Sequence, residues 1–434
     1  MNAWFEKQFK LSEHGTDVRT EILAGITTFM TMAYIIFVNP GILSATGMPF
    51  GALLVATCLG ASLATFLMAF LANYPFALAP GMGLNAFFAF TVVLGMKIPW
   101  QVALAAIFIE GVIFILLTCT KVREEVVNSI PKTLKIGVSA GIGIFITFIG
   151  LQSSGLVVAN QAVLVGLSTL RSNAGGLLTL AGLLLMITLE ARKVTGGILI
   201  GIVAVTLAGI PLGITKMPEG IVSMPPSLAP IFMKMDFSMV AQPAFWVIVL
   251  TFFFVDFFDT VGTLVGVASR ADMLDKEGRL PKASQALMAD AIGTTAGAVL
   301  GTSTVTTFVE SASGVEQGGR TGLTAFTVGV LFLLATFFSP LIAIVPACAT
   351  APALIMVGGY MMMGFKDMDF SDWTEFFPAI IAFFIMPFAY SIAAGIEFGI
   401  VSYVALKLLM GRGKEVNWLL YVLAVLFILN RAFM

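Results

Sequence analysis

Long, uninterrupted apolar stretches constrain the fold of this sequence more than any other feature. Residues 51–71 and 100–120, for example, supply the roughly 20 residues that a helix needs to cross ~30 Å of hydrocarbon. Apolar and polar residues do not alternate, as they would in a transmembrane β-barrel. Only 11% of the residues are charged, against about a quarter in soluble domains. The sequence therefore predicts an all-α, polytopic membrane protein.

The apolar stretches predict fourteen transmembrane helices, with a long proline-rich loop at about 211–244 between the seventh and the eighth. The first seven are residues 21–38, 51–71, 76–93, 100–120, 134–151, 175–189 and 196–210. The second seven are residues 245–267, 287–300, 304–314, 323–338, 352–363, 377–392 and 393–409. Residues 418–429 are short for a span, so a helix lying along the membrane interface is the alternative for them.

An odd number of spans in each half means that the second half enters the membrane in the opposite sense, as in inverted-repeat transporters. Spans three and ten, which correspond in such a repeat, are both interrupted. Pro80, Gly81 and Gly83 break the first, and a cluster of hydroxyl residues loosens the second. Those hydroxyl residues are Thr302, Ser303, Thr304, Thr306 and Thr307. Paired interruptions indicate a binding site near the middle of the membrane.

The distribution of basic residues predicts a cytoplasmic N-terminus. With that orientation, 18 of the 23 Lys and Arg residues lie on the cytoplasmic side, among them Lys121, Arg123, Lys276 and Arg279. The exceptions are Lys97, Arg171, Lys216 and Lys234, which lie outside, and the unassigned Arg431. The polar N-terminal segment lacks the apolar core of a signal peptide. No basic residue is predicted deep within a span.

The composition also argues against several function classes. A net charge of −1 provides no basic excess for a nucleic-acid partner. The three cysteines lie in apolar runs without metal-ligand spacing, and the single histidine, His14, belongs to the polar N-terminal segment. No phosphate-binding loop of the ATPase type is present. We therefore expect neither a metal nor a cofactor, and no enzyme.

Six acidic residues lie in the interior of the predicted spans: Glu110, Asp256, Asp259, Asp290, Glu310 and Glu397. A carboxylate at the centre of a membrane helix costs about 2.5–3.5 kcal/mol, which makes each a candidate functional residue. Asp290 is expected at the start of its helix, where the dipole favours an acid, so a structural role is equally open. Glu110 and Glu397 stand alone among aliphatic residues, which favours a structural role for both.

Asp256 and Asp259 are one helical turn apart, and Thr260 and Thr263 extend the same face. Two carboxylates without a basic partner repel and take up protons readily, which suits proton coupling. Bracing of a neighbouring helix is the alternative. Phenylalanines at the opposite positions are available for packing or for a flat ligand: Phe253, Phe254, Phe257 and Phe258.

Asn85 and Glu310 follow the two interruptions and are expected at the starts of half-helices, where free N–H groups point into the cavity. Helix capping is the alternative for both. Carboxylates, an amide and aromatic faces together suit a flat heterocycle with adjacent N–H donors. Guanine and hypoxanthine match an ionised carboxylate better than adenine does, because N1 of adenine is an acceptor.

Five segments resemble the AzgA-like purine permeases of the nucleobase–cation symporter-2 family. They are TEILAGITTFMTMAYIIFVNP, YPFALAPGMGLNAFFAFTVVLGM, SAGIGIFITFIGLQSSG, LTFFFVDFFDTVGTLVGVA and LGTSTVTTFVESASGV. The resemblance covers nearly the whole chain and implies a uracil-permease-like fold of fourteen helices in two inverted repeats, with short extended segments in spans three and ten. It implies a core domain (1–128 and 240–345) and a gate domain (129–215 and 346–434).

The resemblance also implies the residues of the site. Asp256 is expected to bind the purine and Asp259 to bind it or carry a proton, while Glu310, flanked by Phe308 and the backbone of Val309, is expected to be the second carboxylate and a proton-linked group. Asn85 is expected to be a ligand, with the backbone of Leu84 and Ala86 nearby. Thr263, also in the substrate-binding set, stands where the uracil permease has a histidine, which leaves an acid as the proton carrier.

The resemblance finally implies a function: import of guanine and hypoxanthine across the cell membrane with protons, by alternating access. Sodium coupling, an adenine preference and a homodimer stay open. An anion exchanger is disfavoured, because the site gathers acids rather than positive charge. An intramembrane aspartyl protease is disfavoured because Asp256 and Asp259 share one helix, whereas that chemistry needs aspartates on facing helices.

Overall fold

A computed structural model describes residues 2–118, 131–162, 164–218, 220–270, 273 and 280–433. Several sequence predictions concern residues outside these ranges: the cytoplasmic positions of Lys121, Arg123, Lys276 and Arg279, and the domain boundary at 128/129. The side chains of Phe258 and Arg431 also lie outside the described set.

Helices dominate both halves of the chain. Those before the central loop are α1 (Asn2–Phe9), α2 (Val18–Met32), α3 (Ile35–Ser44), α4 (Phe50–Leu67), α5 (Met82–Ala86), α6 (Trp100–Thr118), α7 (Lys132–Ser153), α8 (Ala174–Ala191) and α9 (Gly197–Gly209). Wider π-helical turns extend α4 through Met68–Ala72 and α5 through Phe87–Gly95. Three strands belong to this half: β1 (Leu78–Pro80), β2 (Val157–Asn160) and β3 (Leu164–Leu167).

The second half repeats this arrangement. Its helices are α10 (Pro243–Arg270), α11 (Ala283–Leu300), α12 (Ser311–Glu316), α13 (Gly322–Ala335), α14 (Ser339–Ala343), α15 (Ala347–Met362), α16 (Trp373–Phe388), α17 (Ile392–Leu409) and α18 (Trp418–Phe433). Strand β4 (Val305–Thr307) precedes α12. Within the described ranges, eight helical segments are long and apolar enough to cross a membrane, and five apolar helices are shorter. The protein is thus a multi-pass helical membrane protein, and the count of fourteen spans stays a prediction.

The two interruptions meet as a short antiparallel strand pair. Strand β1 pairs with β4, with Leu78 opposite Thr307 and Pro80 opposite Val305. The pairing continues beyond the strands, because Gly81 N donates to Thr304 O at 3.0 Å and Phe308 N to Ala77 O at 2.9 Å. All six strand residues are buried. The backbone groups that leave the helices therefore find partners in each other, as a membrane interior requires.

Helix contacts in one half recur in the other. Helix α6 packs on α11, and α4 packs on α13; α8 packs on α9, and α16 packs on α17; α8 contacts α15, and α7 contacts α16. In each of these three comparisons, the second contact joins the two helices that correspond, in the other half of the chain, to the helices of the first contact. The helices divide into a first group (α2, α4, α6, α10, α11 and α13) around the strand pair and a second group (α7, α8, α9, α15, α16 and α17).

One expectation about the span interiors is wrong. Asp290 does not begin its helix: α11 starts at Ala283, seven residues earlier, so the helix dipole does not explain this acid. Of the two roles predicted for the phenylalanines of α10, packing is the one that Phe253 and Phe257 have. Phe253 and Phe257 stack on Phe114 of α6, with ring centroids 4.6 and 5.9 Å apart, and belong to the packed core. Aromatic packing between neighbouring helices explains their spacing.

A buried lysine forms ion pairs at the end of α17. The side chain of Lys407, near the end of α17, is fully buried and lies 2.8 Å from both Glu375 and Glu415. Arg412 extends this cluster to Asp372, 2.7 Å away. Hydrogen bonds from Thr374 and Arg412 lower the pKa of Asp372 to about 2. The cluster joins the beginning of α16 to the end of α17.

Helix α18, over the short apolar stretch at 418–429, packs against α17 with Leu420, Leu423, Ala424 and Phe427. Its opposite side, including Trp418 and Val425, is exposed. One apolar side thus faces the protein and the other its surroundings.

Glu21 is an intramembrane acid that the sequence analysis missed, because it stands at the edge of the first span. Its carboxylate is fully buried and accepts bonds from the backbone N–H groups of Arg320, Thr321 and Thr324 and, at 2.6 Å, from the Thr324 hydroxyl. These donors lie at the N-terminus of α13. Glu21 therefore caps α13 from α2 and locks the two helices together.

Replacing Glu21 with Ala is expected to destabilise the protein by at least about 2 kcal/mol, because four donors then lose a charged acceptor in a buried position. The melting temperature of the purified protein in detergent measures the effect. Glu13→Ala is the control, since Glu13 makes only an exposed ion pair with Lys10. Equal melting temperatures for the two variants would contradict the capping role.

Candidate functional site

A central cavity of about 60 Å³ lies where the strand pair meets α10 and α15. It is lined by Tyr34, Gly81, Met82, Gly83, Asp259, Thr263, Thr306, Thr307, Phe308, Val309, Glu310, Val357 and Met361. The lining thus comes from both interrupted spans, from α10, and from the second group of helices through Val357 and Met361 of α15. The cavity thus lies at the paired interruptions, where the sequence predicts a binding site.

Two glycines allow the chain to pass this close to its neighbours. A Cβ atom on Gly81 would lie 2.7 Å from Thr306 Cγ2, and one on Gly83 would lie 2.7 Å from Ile142 Cγ2. Both distances are shorter than van der Waals contact. The glycines that interrupt span three therefore have a second role, since they permit the close approach of β4 and α7 to the cavity.

Glu310 is held in the cavity by a tyrosine. It immediately precedes α12, as expected, and its Oε1 accepts a hydrogen bond of 2.6 Å from the hydroxyl of Tyr34. Tyr34 is almost fully buried, and its ring lies 6.4 Å from that of Phe308. The sequence analysis missed Tyr34; a lone hydroxyl-bearing aromatic within the first apolar span is the signal that marks it.

The polar face of α10 divides between two surroundings. Asp259 and Thr263 line the central cavity. Asp256 and Thr260 are fully buried and are not among the lining residues; they face α6 and α11 instead. The structure thus does not bring Asp256 into the cavity beside Asp259.

A buried polar network surrounds Asp256. Its carboxyl group hydrogen-bonds that of Glu110 on α6, and the hydroxyl of Thr304 donates to Glu110 Oε2 at 3.3 Å. The hydroxyl of Thr260 lies 3.4 Å from Asp256 Oδ1 and 3.0 Å from Asp290 Oδ1. Glu110 is therefore not isolated among aliphatic residues, as the sequence suggested, because two further acids lie beside it.

Asn85 ties the two interruptions together. It is fully buried; its amide nitrogen donates to Pro80 O at 3.4 Å, and its amide oxygen accepts a hydrogen bond from the hydroxyl of Ser303. It is the fourth residue of α5 rather than the first. Leu84 and Ala86 are also fully buried, and none of the three lines the central cavity. Of the GLNA segment, only Gly83 lines this cavity.

The remaining candidates differ in exposure. Phe308 is buried and Val309 is half exposed, and both line the central cavity as expected. Glu397 is buried in α17, in the second group of helices, and does not line the cavity. In the described part of the chain, no group of three or more His, Cys, Asp or Glu side chains is arranged to hold a metal ion.

A larger polar cavity of about 530 Å³, the vestibule, adjoins the central cavity at Glu310, which lines both. Helices α2 and α12 lie on one side of the vestibule, and the second group of helices lies on the other. Its polar lining includes Thr31, Glu190, Lys193, Gln317 and Tyr360. The central cavity alone holds only a few waters, so a drug-sized or bicyclic ligand would also need space from the vestibule.

The arrangement can bind a small ligand rich in hydrogen-bond donors. Asp259 and Glu310 place two carboxylates, both hydrogen-bond acceptors, in one cavity. Two carboxylates held this close repel unless a donor or a proton lies between them. The ring of Phe308 supplies an aromatic neighbour. A flat molecule with adjacent N–H groups meets all of these requirements.

Comparisons with known proteins show the family to which this chain is similar. The sequence model of the Permease family, Xan_ur_permease, matches residues 19–398. The chain is 45% identical to guanine/hypoxanthine permease PbuG of Bacillus subtilis, over 98% of this chain and 99% of that protein. It is 44% identical to adenine permease AdeP of Escherichia coli, over 99% of this chain and 96% of that protein.

Among solved structures, the transmembrane domain of the cyanobacterial bicarbonate transporter BicA is similar, with a TM-score of 0.67. The match covers 87% of this chain and 97% of that domain, at 17% sequence identity. A likeness at this identity concerns the fold alone.

Replacing Asn85 with Leu is expected to lower stability by about 1–3 kcal/mol, because the buried Ser303 hydroxyl loses its acceptor and the Pro80 carbonyl its donor. Thermal unfolding in detergent measures this loss, with the exposed Gln242 changed to Leu as the control. An unchanged melting temperature for Asn85→Leu would contradict the role of Asn85 as a clamp between the interruptions.

Proposed function

Since the chain belongs to the Permease family, among the nucleobase permeases, we propose that it imports guanine and hypoxanthine across the cell membrane by proton symport. One observation carries the proposal: two carboxylates, Asp259 and Glu310, share the small cavity at the paired interruptions. In a transporter, acids within the membrane mark the path of the substrate or of a proton. The chain is a transporter and not an enzyme.

The hydrogen-bonding pattern of the cavity favours these two bases. Glu310, which accepts a hydrogen bond from Tyr34 at Oε1, and the carboxylate of Asp259 are the acidic acceptors that line the cavity. Guanine presents N1–H and an exocyclic amine on one edge, and hypoxanthine presents N1–H. Each such bond to a carboxylate is charge-assisted. Thr263, Phe308 and the backbone of Val309 complete the proposed contacts, while Asn85, Asp256, Leu84 and Ala86 act from outside the cavity.

Adenine is the second candidate, because relatives named adenine permeases match this chain as well as those named guanine/hypoxanthine permeases. Adenine N1 is an acceptor and needs a donor opposite it. Tyr34, or Glu310 in its protonated form, has a hydrogen to donate. The identities alone do not separate the two specificities, so the cavity must be tested with each base.

We propose that the fourteen predicted spans form two inverted repeats of seven. The recurring helix contacts of the two halves and the central β1–β4 pair support this arrangement. The first group of helices acts as the core domain (1–128 and 240–345) and the second as the gate domain (129–215 and 346–434). The central cavity lies between them, so relative movement of the two domains would expose the base to either side in turn.

The vestibule supports a cytoplasm-facing state of this transport cycle. It is lined by Lys193, which the distribution of basic residues assigns to the cytoplasmic side. A base in the central cavity would leave through it. A proton that moves down a membrane potential of 100 mV supplies ~2.3 kcal/mol, which corresponds to accumulation on the order of fiftyfold.

The shared fold with a bicarbonate transporter does not favour anion exchange here. An anion site needs positive charge, whereas this cavity is lined by Asp259 and Glu310. An anion would meet two carboxylates in a poorly solvated interior, where repulsion is strong.

Replacing Glu310 with Gln is expected to weaken guanine and hypoxanthine binding by about 10- to 100-fold, because a charge-assisted bond of roughly 1.5–3 kcal/mol is lost. Adenine binding is expected to fall less, since the amide of Gln can donate to N1 and accept from the exocyclic amine. Calorimetry with all three bases measures the change. Glu397→Gln, at a buried acid outside the cavity, is the control. Wild-type affinities in Glu310→Gln would contradict the assignment of the site.

Replacing external sodium with choline is expected to leave guanine uptake unchanged in proteoliposomes, whereas a protonophore is expected to abolish accumulation. The physical reason is that carboxyl groups line the cavity and can carry protons. Uptake of labelled guanine at a fixed pH gradient measures both effects. Uptake that requires sodium and persists with the protonophore would establish sodium coupling instead.

A further inference from the structure

Glu110 forms a carboxyl pair with Asp256 that lies outside the central cavity. Both side chains are fully buried, and they hydrogen-bond each other. Thr304 donates to Oε2 of Glu110, but Oε1 has no donor among the described residues. Two carboxylates present only acceptors to each other, so a hydrogen bond between them requires a proton on one. The geometry thus contains a place for one proton.

Two threonine hydroxyls connect this pair with the central cavity. Thr306 lines the cavity, and its hydroxyl lies 2.6 Å from that of Thr260. Thr260 in turn lies within 3.4 Å of Asp256 Oδ1 and 3.0 Å of Asp290 Oδ1. A hydroxyl can accept one hydrogen while it donates its own. The chain from the cavity to the buried acids is therefore continuous.

We propose that Glu110 and Asp256 hold the proton that is transported with the base, and that Thr306 and Thr260 relay it between this pair and the cavity. The proposal rests on the proton symport proposed above and adds where the proton resides. A hydronium ion in the cavity gives a proton to the Thr306 oxygen and becomes water, the hydroxyl hydrogen of Thr306 passes to Thr260, and that of Thr260 passes to Asp256. Each hydroxyl gains one hydrogen and loses one, and the carboxylate becomes a carboxylic acid.

The groups around the pair make an unprotonated state costly. Helix α6 supplies Glu110 as its only titratable residue, and α11 supplies Asp290. Helix α10 supplies Asp256, Asp259 and, at its far end, Arg270, whose side chain lies outside the described set. Helix α4, which packs on α11, adds the buried thiol of Cys58.

Without the proton, three carboxylates would share an interior closed to solvent, and their repulsion would oppose that packing. When Glu110 and Asp256 hold their proton, the pair therefore stabilises the close packing of the first group of helices. This group must move during transport, so proton binding is coupled to its movement. Base binding occurs separately at Asp259 and Glu310, so the two cargoes are expected to be separable by mutation.

Reconstituted protein allows the two cargoes to be measured separately. Calorimetry reports base binding, exchange of labelled for unlabelled guanine reports movement without net proton flow, and accumulation under a gradient of two pH units reports coupling. For Glu110→Gln we expect binding within about twofold of wild type and retained exchange. We expect its accumulation ratio to fall from up to ~100-fold towards one, since each pH unit is worth about tenfold for one proton. Glu110→Asp, which keeps a titratable group, is expected to recover part of the coupling.

Thr260→Val tests the relay without changing any acid. Its proton-driven uptake rate is expected to fall at least tenfold while exchange is retained, and Thr260→Ser is expected to restore it. Thr251→Val is the matched control, because this buried hydroxyl of α10 bonds only the Val247 carbonyl of its own helix.

Several outcomes would overturn the inference. Wild-type accumulation in both Glu110→Gln and Thr260→Val would show that neither the pair nor the relay carries the proton. Loss of guanine binding in Glu110→Gln would show that the buried pair belongs to the base site. Wild-type vesicles that accumulate guanine independently of the pH gradient would contradict proton symport itself, and with it this inference. That last result is distinguishable because it appears before any substitution is made.

Discussion

The antiparallel pairing of β1 with β4 is the constraint on which the rest of the structure depends. A helix that is broken inside a membrane exposes N–H and C=O groups that lipid cannot satisfy. Here two breaks satisfy each other, from Ala77 with Phe308 to Gly81 with Thr304. Asn85 reinforces the pairing through Ser303 and Pro80. The surrounding helices can then enclose irregular backbone, and the cavity forms where the two breaks meet.

The acids around this centre belong to two environments. Asp259 and Glu310 line the cavity, where water and a ligand can reach them, whereas Glu110, Asp256 and Asp290 lie in a closed interior. One turn of α10 separates the two sets, and the hydroxyls of Thr260 and Thr306 join them. This separation allows a transporter to bind the base at one set of acids and the proton at the other. The same helix can then respond to both cargoes.

Much of this architecture could be predicted from the sequence, because it depends on local signals. The apolar runs marked the spans, and Pro80, Gly81 and the hydroxyl cluster at 302–307 marked the interruptions. Glu310 was expected beside its break and lies there. Other features depend on which helices become neighbours. Tyr34, Glu21 and the partner of Glu110 act on residues far away in sequence, and Asp290 lies mid-helix because α11 begins earlier than the hydropathy suggested.

The central claim is that a purine base binds between Asp259 and Glu310, beside Tyr34, at the meeting point of the interrupted spans. An experimental structure of the purified protein with guanine tests it most directly. We expect density for the base in the central cavity and the adjoining part of the vestibule, with its N1–H and exocyclic amine within hydrogen-bonding distance of these two carboxylates. Density for the base elsewhere, whether against Asp256 and Glu110 or in the vestibule without contact to Glu310, would contradict it.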